Sequence, residues 1–359
     1  MKRGRTILVS VLLLAAVLWT VHAFRGQIAL RLMEPMIARN MARDLARELP
    51  DGLHVVVCGS GSPLTDLKRS GPCTAVIAGT RVFVVDVGEG AQETLSVAGI
   101  SPARVERVLL THFHSDHIDG LGGLTLQHWA AGASRSPLPL VGPSGVEQLA
   151  LGINTTYAQD KVFRIAHHGE TVVPSSGFGL VAQPFAPPAK GPGLVILNDG
   201  GLKITAFSVD HEPVSPAVGY RFDYKGRSVV VSGDTARSPS LVQNAKGVDL
   251  LVHEALSPRL VALLGQAAGD ADRGNVVKVT RDILTYHTTP EAAADEAKAA
   301  GVRALLLTHL IPPIPIKALE GPFLGDTRKR FDGEVWMARD LDLVSLPAGS
   351  TDIRKSHIR

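Results

Sequence analysis

The stretch Thr111-His112-Phe113-His114-Ser115-Asp116-His117 puts three imidazoles and a carboxylate within six residues, directly after an apolar run, Val108–Thr111, that reads as a strand. Imidazole and carboxylate suit zinc and similar divalent ions. If the strand continues extended, His112, His114 and Asp116 point the same way. His117 then turns with the chain and can face a second ion, so one loop can serve two adjacent metals. A merely solvated loop has no need of such clustering. Further candidates lie at strand ends followed by turns: His211 after Ser208, Asp234 after Ser232, and His309 after Thr308. Alone, His211 or His309 would read as an ordinary hydrogen-bonded histidine; the cluster at His112 changes that.

These positions need strands to hold them. Leu53–Cys58, Thr74–Ile77 and Val82–Val87 read as strands, as do Leu202–Ser208, Ala217–Tyr224, Ser228–Ser232, Leu250–His253 and Ala304–Thr308. Helices are expected at Leu121–Ala131, near Pro258–Gln266 and at Pro290–Ala300, the last with Thr289 as N-cap and Pro290 at its first position. Residues Gln183–Gly201 look like a Pro- and Gly-rich surface excursion. Two sheets packed face to face with helices outside would bury the strands on both faces, an α+β architecture.

The 359-residue chain is 45% hydrophobic and 20% charged, a globular composition. Its net charge of +3, from 37 basic and 34 acidic residues, shows no basic excess of the kind that marks a dedicated nucleic-acid binder. Two cysteines, Cys58 and Cys73, are too few for a disulfide scaffold. They read as small buried side chains, able to pair in an oxidising compartment.

At the N-terminus Lys2, Arg3 and Arg5 precede an apolar run from Ile7 to Trp19 that continues to Phe24. A removed signal peptide and an uncleaved membrane anchor both fit, and the anchor is preferred. Either sends the following domain out of the cytoplasm. The expected organisation is an anchor or signal over residues 1–24, an amphipathic stalk helix over 25–50, a hydrolase domain over 51–349 that starts after the breaker cluster Leu49-Pro50-Asp51-Gly52, and a frayed polar tail over 350–359. The stalk could also serve as a homodimer surface.

The His-x-His-x-Asp-His pattern resembles the signature of the metallo-β-lactamase superfamily. Further motifs resemble the branch that holds ribonuclease Z and arylsulfatase-like hydrolases: Gly59-Ser60-Gly61-Ser62, Asp86-Val87-Gly88-Glu89-Gly90, Val209-Asp210-His211, Ser232-Gly233-Asp234-Thr235, His253-Glu254-Ala255, His287-Thr288-Thr289 and Leu307-Thr308-His309. They run in family order from about Leu53 to Pro313. The resemblance implies a four-layer αββα sandwich. It implies two divalent ions, zinc first, with manganese or iron as alternatives. One would be held by His112, His114 and His211, the other by Asp116, His117 and His309, with Asp234 bridging. It further implies Asp116 as the group that orients or deprotonates the attacking hydroxide, and His287, held by Glu254, as the proton donor to the leaving group. Glu254 reads equally well as a buried orienter of a ligand.

The reading reached from sequence is an exported hydrolase of small-molecule sulfuric, phosphoric or related esters, arylsulfatase-like, tethered to a membrane. Nucleic acid is not expected as substrate: the domain is read as exported, Lys190 is the only basic residue of the Gln183–Gly201 excursion, and no basic arm is visible. The alternatives are a ribonuclease Z-like phosphodiesterase, whose branch processes transfer RNA, and a metal-binding module without turnover.

Overall fold

The computed structural model describes residues 2–358; Met1 and Arg359, the outermost residues of the expected anchor and tail, lie outside it. It divides into two units, one ending at Asp44 and one beginning at Leu45. The first is a single helix, Lys2–Ala42, which continues through Phe24 and Arg25 without a break between anchor and stalk. Over Gly4–Ala42 it is long and apolar enough to cross a membrane, by length and composition.

In the second unit, strands β1 (Gly52–Gly59), β2 (Cys73–Ala78), β3 (Arg81–Val85), β4 (Val105–Leu109), β5 (Leu138–Pro143) and β6 (Leu180–Phe185) belong to one sheet. Strands β7 (Leu194–Asp199), β8 (Leu202–Ser208), β9 (Val218–Tyr224), β10 (Arg227–Val231), β11 (Leu250–Leu256), β12 (Ala304–Ile311) and β13 (Glu334–Met337) form the other. Strands β14 (Asp342–Pro347) and β15 (Arg354–His357) return to the first, which reads β15-β14-β1-β2-β3-β4-β5-β6; the second reads β13-β12-β11-β10-β9-β8-β7. Each sheet passes from antiparallel hairpins to parallel strands, at β3–β4 in one and β10–β11 in the other.

Alternation sorts each strand into two cores. On β1, Leu53, Val55 and Val57 pack between the sheets with Val229, Val252 and Leu306. Val56 and Cys58 face the other way, towards Leu95 and Leu124 of outer helices. Behind the second sheet, Val230, Leu251 and Leu305 meet Ala293, Ala294 and Ala297 of the helix Pro290–Ala300. That is a four-layer αββα sandwich with strands buried on both faces. The helix starts as its sequence dictates: Thr289 Oγ1 accepts from Ala292 N–H at 3.1 Å, and Gly301 closes it with a φ of 65°.

Three expectations need correction. Leu45 and Ala46 are buried in the sandwich core, so this unit starts before residue 51. The tail is not frayed: Arg354–His357 pairs antiparallel with β14, its backbone satisfied by an edge that would otherwise be open. Cys58 and Cys73 are joined by a disulfide, because the pairing of β1 with β2 sets their Cα atoms 4.9 Å apart.

Candidate metal centre

The metal-candidate residues come from separate strand ends of both sheets. After β4 the chain bends at Thr111, is extended at His114 and then coils into the short helix Ser115–His117. This lets one segment present side chains in two directions. At the end of β12 the register against β11 slips, Glu254 facing Thr308 and Ala255 facing Leu310, so that His309 stands unpaired with a left-handed φ of 46°. The bulge re-aims the His309 ring into the cluster. Asp234 follows β10, next to Gly233, whose φ is 64° and where a Cβ would lie 2.8 Å from Thr111 Cβ. Gly88 allows a comparable approach: a Cβ there would sit 2.4 Å from the Asp116 carbonyl oxygen.

Two groups result, His112, His114, His211 and Asp234, and Asp116, His117 and His309, the candidate ligand atoms within each lying within 4.8 Å of one another. Asp234 Oδ2 is the hub. It is 3.3 Å from His117 Nε2, 3.3 Å from His309 Nε2, 3.9 Å from His112 Nε2 and 4.0 Å from His211 Nε2. Asp116 Oδ2 lies 3.3 Å from His309 Nε2 and 3.6 Å from His117 Nε2.

Outer partners fix the rings. His117 Nδ1 donates to Asp86 Oδ2 at 2.8 Å, and His211 Nδ1 donates to the Tyr286 carbonyl at 2.9 Å. Thr111 Oγ1 donates to Asp86 Oδ2 and therefore accepts from His112 Nδ1 at 3.0 Å. Each of these three imidazoles thus turns Nε2 inward, the orientation that outer hydrogen bonds impose on metal-binding histidines. His117 Nε2 and His211 Nε2 are buried with no hydrogen-bond partner among the described residues, as nitrogens that would bind a cation are. Zinc or another divalent ion fits this donor set.

The electrostatics agree. Burial pushes His112, His114 and His211 below the ordinary histidine value and keeps them neutral. Burial pushes the Asp234 carboxyl up, but the histidines around it, His309 and His117 foremost, outweigh that and hold it well below the usual range. For His117 burial pulls down, yet Asp234 and Asp86 raise it well above. The cluster attracts positive charge at its centre.

His287 and Glu254 lie alongside. His287 Nδ1 donates to Glu254 Oε1 at 3.0 Å, and the same oxygen accepts from Thr288 N–H and Thr235 N–H. The His287 ring stacks on His309 with centroids 5.5 Å apart. Asp234, His287 and His309 also form a close group of their own. A cavity of about 490 Å³ opens beside Asp116, walled by the loop from Ser62 to Gly71 with Glu89 and Asp119.

His253 turns away from the cluster towards Glu296, with Nε2 and Oε2 3.4 Å apart. His167 and His168 end an exposed helix, Ala158–His168, outside the cluster. Tyr220 is a packing residue, its hydroxyl donating to the Leu110 carbonyl. Two roles escaped the reading from sequence, although Asp86 was named there within a motif. Asp86 orients His117, and its signal was its place directly after β3. Tyr286 holds His211 through a backbone carbonyl, which no side-chain pattern can reveal.

A Beta-lactamase superfamily domain profile matches residues 81–310, and the chain belongs to the metallo-β-lactamase superfamily of metal-dependent hydrolases. Its relatives are more particular. Ribonuclease Z of Mycobacterium avium (strain 104) is 33% identical over 300 residues, covering 83% of this chain and 100% of the relative. Ribonuclease Z of Mycobacterium bovis (strain BCG / Pasteur 1173P2) is 34% identical over 297 residues, 82% and 98% of the two chains. Among solved structures, human tRNase Z, short form, superposes with a TM-score of 0.58 at 23% identity, over 82% of this chain and 99% of that one. A metallo-β-lactamase fold protein of Bacillus subtilis also gives 0.58, at 20% identity, over 82% and 100%. At these identities the two structures speak for the fold.

The relatives overturn three expectations. The exported, arylsulfatase-like reading gives way, because the relatives are ribonucleases Z over nearly their whole length. A small-molecule ester as partner, with nucleic acid set aside, falls with it. A net charge of +3 describes the whole chain and says nothing of the field inside a metal-lined cleft. Placement outside the cytoplasm falls too. It rested on the N-terminal helix, and one helix able to cross a membrane does not fix the side on which a domain lies.

Proposed function

We propose that this chain is a ribonuclease Z-like endonuclease that hydrolyses a phosphodiester bond of RNA, with a 3′-extended transfer RNA as the substrate class. The observation that carries the reaction is the His287–Glu254 pair set against the Asp234–His309 side of a seven-residue ligand cluster. The relatives' name supports RNA as the substrate.

His112, His114 and His211 would hold one divalent ion, and Asp116, His117 and His309 a second, with Asp234 between them. Ions there, zinc foremost, would supply Lewis acidity to a phosphoryl oxygen and lower the pKa of a water. The remaining work belongs to the chain. Asp116 reaches the cluster through Oδ2 and lines the adjoining cavity, so it can orient the attacking water and accept its proton. Asp86, Thr111 and Tyr286 accept from the outer nitrogens of three ligands and so turn the inner nitrogens towards the cluster. Burial disfavours a protonated His287, but Glu254 outweighs it and raises the ring above its ordinary value. His287 therefore holds a proton at Nε2 for the departing oxygen, while Nδ1 stays tied to Glu254.

The test is hydrolysis by the full chain loaded with zinc or manganese, using a 3′-extended transfer RNA and an aryl sulfate in parallel, with Asp116→Asn as control. Cleavage of the RNA, lost by orders of magnitude in the variant, supports the proposal. Turnover of the sulfate with intact RNA rejects it.

A further inference from the structure

Tyr286 belongs to no ligand set, and the reaction as derived uses only its carbonyl. Its side chain is placed for something else. The ring is half-buried, 5.2 Å from the His211 ring in an edge-on arrangement and 4.9 Å from His287. The hydroxyl has no hydrogen-bond partner among the described residues, so the phenol is not anchored by its polar end. The position is anchored through the backbone instead, because the Tyr286 carbonyl accepts from His211 Nδ1 at 2.9 Å. Movement of this residue would disturb a candidate ligand, so the ring stands at a fixed place on the rim of the centre.

The centre also has two flanks. Asp116 lines the cavity of about 490 Å³, and Tyr286 is not part of that cavity's wall. Between them stand His309, 3.3 Å from Asp116 Oδ2, and His287, stacked on His309. With His287 as donor to the departing oxygen, as proposed above, a phosphodiester seated at the cluster would send one nucleoside towards Asp116 and the other past His287. A partly exposed aromatic face beside a phosphate site is a sequence-tolerant platform for a base.

We infer that Tyr286 forms a nucleobase subsite, stacking the base of the nucleoside that departs on the His287 side. This rests on the RNA reading above. No charge transfer or covalent step is involved; the subsite binds and positions.

The test is a double-mutant cycle on the metal-loaded full chain. The cut position in a 3′-extended transfer RNA is mapped first. The same RNA is then made with a single abasic residue on the leaving-group side of that bond. Wild type and Tyr286→Phe should lose about tenfold or more in kcat/KM on the abasic RNA. Tyr286→Leu should be slow on the intact RNA and show almost no further loss on the abasic one. Every variant keeps the carbonyl that holds His211. An abasic penalty as large in Tyr286→Leu as in wild type overturns the subsite. That result, an equal slowing of Tyr286→Leu on both RNAs, marks a structural role. If wild type cuts no RNA at all, the nuclease reading itself fails and takes the subsite with it, an outcome distinct from a penalty kept in Tyr286→Leu.

Discussion

His287 Nδ1 and Glu254 Oε1 lie 3.0 Å apart, with the His287 side chain 6% exposed and that of Glu254 1%. A buried imidazole is ordinarily driven neutral; here the carboxylate outweighs desolvation and favours the protonated ring. Replacing Glu254 with Gln removes the charge and keeps the shape. The expected outcome is a fall in kcat of about 10²-fold or more, the usual worth of a positioned proton donor. Raised folded-state values keep a proton on the alkaline side, so the alkaline limb of the pH–rate profile should move to lower pH in Glu254→Gln. An unchanged limb, followed on an RNA substrate, would remove His287 from the donor role.

Asp86 touches no candidate metal position, yet it accepts from His117 Nδ1, Thr111 N–H and Thr111 Oγ1. Losing it frees the His117 tautomer and leaves buried donors unpaired. Asp86→Ala should weaken metal binding by about 10- to 100-fold, as measured by competition with a chromogenic chelator. Affinity equal to wild type would show that His117 is held by other means.

Much of this centre was legible before any coordinates. Spacing alone marked residues 112–117, because three histidines and an aspartate on a strand exit have few structural uses. Family motifs located His211, Asp234, His287 and His309. What stayed hidden follows from physics that a linear pattern does not carry. The Tyr286 contact is made by a backbone atom. The Arg354–His357 strand is polar and short, and only the open edge of β14 orders it. The ribonuclease Z-like reading was ranked second because the N-terminal helix was taken to export the domain and whole-chain charge was asked to answer a local question.

Arg227 forms a buried pair with Asp249, Nη2 to Oδ1 at 3.0 Å, and also donates to carbonyls of Pro347 and Asp352. Asp249 further accepts from Ser228 N–H and Arg303 Nη1. Truncating one partner strands the other's charge, so Asp249→Ala should cost about 3–5 kcal/mol in urea unfolding. A cost under about 1 kcal/mol would mean that water reaches Arg227 readily.

His54 and His128 sit away from the metal centre, and burial pushes both below the ordinary 6.5. The unfolded chain therefore takes up protons at these sites before the folded one does. Their contribution is intact above about pH 6.5 and is lost as pH falls towards the folded values. With metal removed, the unfolding midpoint should drop between pH 7.5 and 5.5, and the drop should be smaller in His54→Gln/His128→Gln. Parallel pH dependence in the two proteins would contradict this.

The central claim is that the cluster around Asp234 is a metal centre that cuts RNA. The most direct measurement adds zinc stepwise to the chelator-stripped full chain while following bound metal and cleavage of a 3′-extended transfer RNA in the same sample. Cleavage should be absent without metal and saturate at two ions per chain. Undiminished cleavage by the stripped chain, or two bound ions with no cleavage, would contradict the account.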